Sequence, residues 1–176
     1  MYENLFKNPL HRVFVYGTLK RGEPNHRILQ NTKDGGYAKF LGCGKTVNKY
    51  PLVIATKYNI PFLLKKPDTG NQILGEVYDV DTKMLEKLDE LEEHPSFYVR
   101  TEEEVLMAPA ANLKPNINFE EMGILCKAWT YFLPNFRPEL LDKEMFKSYT
   151  NEGSHGLRYG ERYLRDTDFN HRREVQ

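Results

Sequence analysis

The apolar positions of this chain fall in short runs, and most of the runs have strand length. Arg12–Tyr16 reads as a buried strand, Tyr50–Thr56 and Ile60–Lys65 as two more parted by Lys57-Tyr58-Asn59, and Ile73–Val80 as a fourth after the turn signal Asp68-Thr69-Gly70-Asn71. Gly75 inside that fourth run implies a bulge or a close backbone approach. Phe97–Met107 and Cys126–Leu133 alternate apolar and polar over much of their length. They flank a Pro/Asn/Glu-rich stretch, Ala108–Gly123, which reads as a long surface loop. Asp34–Gly44 reads as loop and edge strand. Helical spacing is confined to Pro24–Leu29, Asp81–Pro95 and a proline-opened Pro138–Tyr149. Many short strands and few helices, without regular βα alternation, predict an α+β fold: a small curved or barrel-like sheet with short helices on its outside.

Composition narrows the function more than the fold. At 176 residues one domain is expected, burying roughly 70% of its unfolded surface. It should span 1–160, with an N-terminal extension over about 1–11 and a charged, solvated and flexible tail over 161–176. Lysine plus arginine (25) equals aspartate plus glutamate (25), so no global field draws nucleic acid or an anionic membrane. A small molecule or a protein is the expected partner. The two cysteines, Cys43 and Cys126, have no zinc or redox spacing, which fits a reduced, cytoplasmic chain. No leader-like apolar segment or membrane-length run occurs, nor any dinucleotide, Walker or zincin motif, so chemistry without metal or cofactor is expected.

Two local patterns carry chemistry. Val13–Lys20, "VFVYGTLK", runs a buried strand into a Gly-Thr turn, which sets consecutive backbone N–H groups at a sheet rim without ladder partners. An ordinary turn and an oxyanion-binding turn both fit. The second pattern lies in Asp81–Pro95, with Asp81 as N-cap. At about 100° per residue, Met84, Leu85, Leu88 and Leu91 share a sector of roughly 120°, and Glu92 falls inside it. A carboxylate on the core-facing stripe is costly unless it is hydrogen-bonded, protonated or faces a cavity, any of which suits an acid/base; fraying into solvent near Pro95 is the alternative. Asp89, near the sector's edge, is the neighbouring candidate.

Taken in order, "YGTLKRG", "PNH", "YPLVI", "NIPFLL", "GEVYDVD", "MLEKLDELEEHPSFYVRT" and "SHGLRY" make the chain resemble the γ-glutamyl cyclotransferase family, AIG2-like proteins included, over about residues 12–160. The resemblance implies a compact mixed-strand barrel with flanking helices and a cavity at one end. It implies that Tyr16, Gly17, Thr18 and Leu19 hold a γ-glutamyl group and that Glu92 is the catalytic proton acceptor. The activity implied is release of 5-oxoproline from a γ-glutamylamine without a cofactor, with γ-glutamyl-α-amino acids as the alternative substrates and a non-catalytic interaction module as the competing class. Tyr131 in "AWTYF" is implied to face the cavity. Arg158 in "SHGLRY" suits a substrate carboxylate or a loop anchor. His26 and His155 have no visible partner and read as structural or solvated.

Overall fold

The computed structural model describes residues 9–33, 36–110, 117–161, 164–166 and 169–176. In chain order its elements are β1 (Leu10–Val15), α1 (Arg27–Gln30), β2 (Ala38–Tyr50), β3 (Leu52–Ala55), β4 (Ile60–Leu63), β5 (Asn71–Asp81), α2 (Thr82–Leu91), β6 (Val99–Pro109), α3 (Phe119–Met122), β7 (Ile124–Phe132) and α4 (His171–Val175), with one 3-10 turn at Pro138–Asp142. Five strands close a barrel in the order β1-β5-β2-β6-β7. Four of the pairings are antiparallel, and β7 meets β1 in parallel at Val13 and Trp129. The barrel is therefore mixed. A separate hairpin of β3 and β4 stands beside it.

Inside the barrel Phe14, Val77 and Val105 converge from three strands, and two glycines make room for them. Gly44 and Gly75 are cross-strand partners. A Cβ on Gly75 would lie 2.7 Å from the Phe14 ring, and one on Gly44 would lie within about 3.1 Å of Val105, Val77 and Phe14. The close approach expected at Gly75 is thus an aromatic ring seated over a glycine pair. The outward faces of β1 and β5 (Val13, Val15, Tyr78, Val80) form a second core with Met84, Leu85 and Leu88 of α2 and with Val53 and Phe62 of the hairpin. Met84 and Leu88 are fully buried, each contributing on the order of 1.5–3 kcal/mol. This outer core holds α2 against the end of β1.

The structure corrects several expectations. The edge strand expected within Asp34–Gly44 is the central β2, which runs to Tyr50 and pairs on both sides, with β5 and β6. The Pro138–Tyr149 helix shrinks to its first turn. Beyond it Phe146 N–H donates to the Leu52 carbonyl and the Lys147 carbonyl accepts from Leu74 N–H, at 2.9 and 2.8 Å, so these groups serve neighbouring strands and not a helical ladder. Of the loop expected over Ala108–Gly123, residues 108 and 109 belong to β6, 111–116 lie outside the described residues, and α3 starts on an Asn118 cap. The tail is not solvated throughout: Val175 is fully buried in the outer core, and Arg137 N–H donates to its carbonyl at 2.6 Å.

Candidate active site

Asp81 caps α2 by accepting from Met84 N–H at 2.8 Å. The helix stops at Leu91, ahead of Pro95, because Glu93 enters the left-handed region at φ 52°. Glu92 is consequently the C-cap. Its N–H donates to the Leu88 carbonyl at 2.9 Å and its carbonyl accepts from Tyr98 N–H at 3.3 Å, which fixes the backbone from both sides. The side chain is half-buried and lines a cavity. Asp89, one turn back, is engaged elsewhere. Arg100 holds it with two bonds, Nε to Oδ1 at 2.8 Å and Nη2 to Oδ2 at 3.2 Å, and the Tyr131 hydroxyl donates to Oδ1 at 2.6 Å.

The turn that ends β1 forms another wall of the same cavity, with Tyr16, Gly17, Thr18 and Leu19 all lining it. Its carbonyls are occupied by the chain downstream. Gly17 O accepts from Lys20 N–H at 3.2 Å, Thr18 O from Asn25 N–H at 2.8 Å, and Leu19 O from His26 Nδ1–H at 2.9 Å. His26 thereby braces the turn. Gly17 also packs closely: a Cβ there would sit 3.2 Å from Pro61 Cγ at the β4 hairpin, a tight contact that Pro61 would have to yield to.

The cavity has about 700 Å³ of space, counting its open mouth, and it also borders Ile60, Pro61, Phe62, Phe97, Tyr98 and Tyr131. Tyr16 and Tyr131 are locked together, the Tyr16 hydroxyl donating to the Tyr131 carbonyl at 2.6 Å. Burial, and next the nearby charge of Glu92, push the Tyr16 hydroxyl well above the ordinary tyrosine range. Burial, then the hydrogen bond to Asp89, do the same for Tyr131, with Glu92 adding to it. Both phenols therefore stay protonated near neutrality, and Glu92 is near enough for its charge to act on each. Glu92, beside a Glu93 that Arg172 holds at 3.1 Å, together with a ring of tyrosines and a backbone turn can hold a small polar amide and move a proton within it.

The family model described as gamma-glutamyl cyclotransferase, AIG2-like, matches residues 13–151. The chain belongs to this family. It is 47% identical over 149 residues to gamma-glutamylaminecyclotransferase C of Danio rerio, covering 85% of this chain and 92% of that one. It is 44% identical over 154 residues to gamma-glutamylaminecyclotransferase of Homo sapiens, covering 85% and 96%. The crystal structure of an AIG2-like protein from Mus musculus superposes with a TM-score of 0.77 at 40% identity, covering 89% of this chain and 99% of that one.

Of the residues singled out in the sequence, the fold brings Glu92, Tyr16, Gly17, Thr18, Leu19 and Tyr131 around one cavity. Arg158 is not among them. Its side chain is exposed and paired with Glu152 at the surface, the loop-anchoring role. His155 is likewise structural, Nε2–H donating to the Thr150 carbonyl at 2.8 Å and Nδ1 accepting from Leu157 N–H at 2.9 Å. Asn25, Tyr98, Tyr159 and Arg165 line the cavity without having been anticipated. Asn25 had a signal, since it sits in the "PNH" that follows the turn. Its Nδ2 donates to Thr18 Oγ1 at 2.9 Å and to the Tyr159 hydroxyl at 3.1 Å. Among the described residues no group of His, Cys, Asp and Glu is arranged to hold a metal ion, and no helix is long and apolar enough to cross a membrane.

Proposed function

We propose that the chain is a γ-glutamylamine cyclotransferase in which Glu92 shuttles protons and the Tyr16–Leu19 turn binds substrate through its backbone. One observation carries the reading: Glu92, the C-cap of α2 that falls inside its apolar stripe, lines the same cavity as the turn that ends β1. The two relatives from Danio rerio and Homo sapiens, each named for that activity, support the choice of substrate.

The chemistry needs no water. The substrate's α-amino nitrogen attacks its own γ-carbonyl carbon, a ring C–N bond forms, and the C–N bond to the departing amine breaks, giving 5-oxoproline. Two protons leave the attacking nitrogen and two arrive on the leaving one, so nothing is consumed. Well-oriented intramolecular attack has effective molarities of about 10⁵–10⁸ M, which leaves the protein to fold the substrate and carry protons. Glu92 takes a proton from the α-ammonium group and returns one to the departing nitrogen. Amides of the Gly17–Leu19 turn, whose carbonyls face the downstream chain, hold substrate oxygen. Tyr16 and Tyr131, kept protonated, wall the reacting atoms without competing for the proton.

The purified chain with γ-glutamyl-ε-lysine is expected to yield 5-oxoproline and lysine in equal amounts, at a higher rate than γ-glutamyl-alanine is cyclised. Absence of 5-oxoproline from either compound at high enzyme concentration would sink the proposal, and preference for γ-glutamyl-alanine would move it to the α-amino-acid branch. Asp89→Asn separates Asp89 of α2 from Glu92 at its C-cap. The carboxamide still accepts from Tyr131 but weakens the Arg100 pair, so turnover should stay within about tenfold of the parent while stability falls by about 1–3 kcal/mol in urea melts.

A further inference from the structure

The chain continues past residue 151, where the family match ends, and the continuation returns to the cavity. Gly160 anchors it. Its N–H donates to the Tyr58 carbonyl at 2.7 Å, and a Cβ on Gly160 would lie 2.5 Å from the Tyr58 ring, so only glycine lets the two segments pass this closely. Immediately before it, Tyr159 is buried, its N–H donating to Asn151 Oδ1 at 2.6 Å and its hydroxyl accepting from Asn25, which also holds Thr18. A few residues after it, Arg165 Nε donates to the Gly160 carbonyl at 2.9 Å, and its guanidinium stands over Tyr159 at 5.1 Å and Tyr58 at 5.4 Å. Tyr159 and Arg165 then line the cavity that Glu92 lines.

We infer that Arg165, steadied by Tyr159, forms the subsite for the departing amine and selects amines that carry a carboxylate, such as the ε-amine of lysine. The inference rests on the cyclotransferase reading above. A γ-glutamyl substrate has two halves. Its glutamyl half is common to every such substrate and belongs at Glu92 and the Tyr16–Leu19 turn, both within the family-matched stretch. Its departing half varies, and Arg165 comes from the part of this chain beyond that stretch. Ile60, Phe62 and Phe97 on the cavity wall suit the methylenes of a lysine side chain. A guanidinium meets a planar carboxylate with two parallel bonds, a geometry that an ammonium cannot offer. Rings against its face hold the fork in one orientation, so less freedom is lost when the carboxylate arrives.

The experiment compares kcat/KM for γ-glutamyl-ε-lysine and γ-glutamyl-n-butylamine, which lacks the carboxylate, in the parent chain, Arg165→Gln and Arg165→Lys. The lysine-to-butylamine ratio should fall roughly 10- to 100-fold in Arg165→Gln, the size of one lost charge-assisted pair, through KM more than kcat, and recover in part in Arg165→Lys. A ratio within about twofold of the parent overturns the assignment, whether both rates fall together, as they would if Arg165 only pinned the tail or gripped the glutamyl carboxylate, or neither falls. Calorimetry in the Glu92→Gln background reads the subsite without turnover. Selective weakening of the lysine compound by Arg165→Gln supports it even if the parent forms no 5-oxoproline, a result that would remove the cyclotransferase reading alone. No selective weakening there removes the subsite.

Discussion

Glu92→Gln is expected to lower turnover of γ-glutamyl-ε-lysine by roughly 10²–10⁴-fold, the usual contribution of a positioned acid/base, with 5-oxoproline still binding. The substitution keeps the volume and much of the hydrogen-bonding capacity of the side chain while removing its ability to accept and return a proton. Folding should barely change, because Glu92 is fixed through its backbone by Leu88 and Tyr98, and glutamine leaves both bonds in place. A solvated helix-end carboxylate would behave differently. Its replacement would leave turnover within about threefold, since surface changes shift stability by only about 0.5 kcal/mol and touch no chemistry. Steady-state rates beside Asp89→Asn decide the matter: equal loss in both variants, or loss only in Asp89→Asn, would overturn the assignment of the base.

The contrast between these carboxylates was legible in the sequence because helix periodicity is a strong signal over ten residues. Glu92 interrupts an apolar stripe, and Asp89 stands at its edge, where Arg100 from β6 takes it. The Gly-Thr turn was legible for a similar reason: a buried strand must stop somewhere, and its stopping residues are polar. β2 was not legible. Its middle, Gly42-Cys43-Gly44-Lys45, has neither alternation nor strand propensity, and two of those positions are glycine because Phe14 and the backbone of Ala108 press against them from other strands. Strand character there is imposed by pairing on both sides. The 138–149 segment erred the other way, with helical composition overruled by strand edges that needed its backbone groups. Tyr159 had a signal only as the last residue of "SHGLRY", and Arg165 left none. Their placement depends on Gly160 meeting Tyr58 far back in the chain, a contact that no local pattern encodes.

The largest pH effect expected on folding comes from the tyrosines. Five of the 11, Tyr16, Tyr50, Tyr78, Tyr131 and Tyr149, are buried and have hydroxyls raised above the ordinary range, burial being the first cause in each. Each also faces a carboxylate: Glu92, Glu103, Glu76, Asp89 and Glu23 in turn. Ionising any of them inside the fold would set phenolate against carboxylate without solvent. In the unfolded chain all five lose their protons near pH 10, while the native state keeps them. Above that pH the unfolded state binds fewer protons, so stability is complete below about pH 10 and declines as pH rises, by up to about 1.4 kcal/mol per pH unit for each tyrosine. Five acting together would remove on the order of 7 kcal/mol per unit, comparable with the 5–15 kcal/mol that holds a domain of this size folded. Cooperative alkaline unfolding should therefore follow within about one to two units above pH 10, seen as a steep drop in the urea midpoint. Phenolate absorbance from these five should appear only with unfolding. Tyr50→Phe removes one share of the slope by deleting the hydroxyl that donates to Glu103 at 2.6 Å. Smooth titration of all the tyrosines near pH 10 in a chain whose urea midpoint does not move would show that these hydroxyls are not protected by the fold.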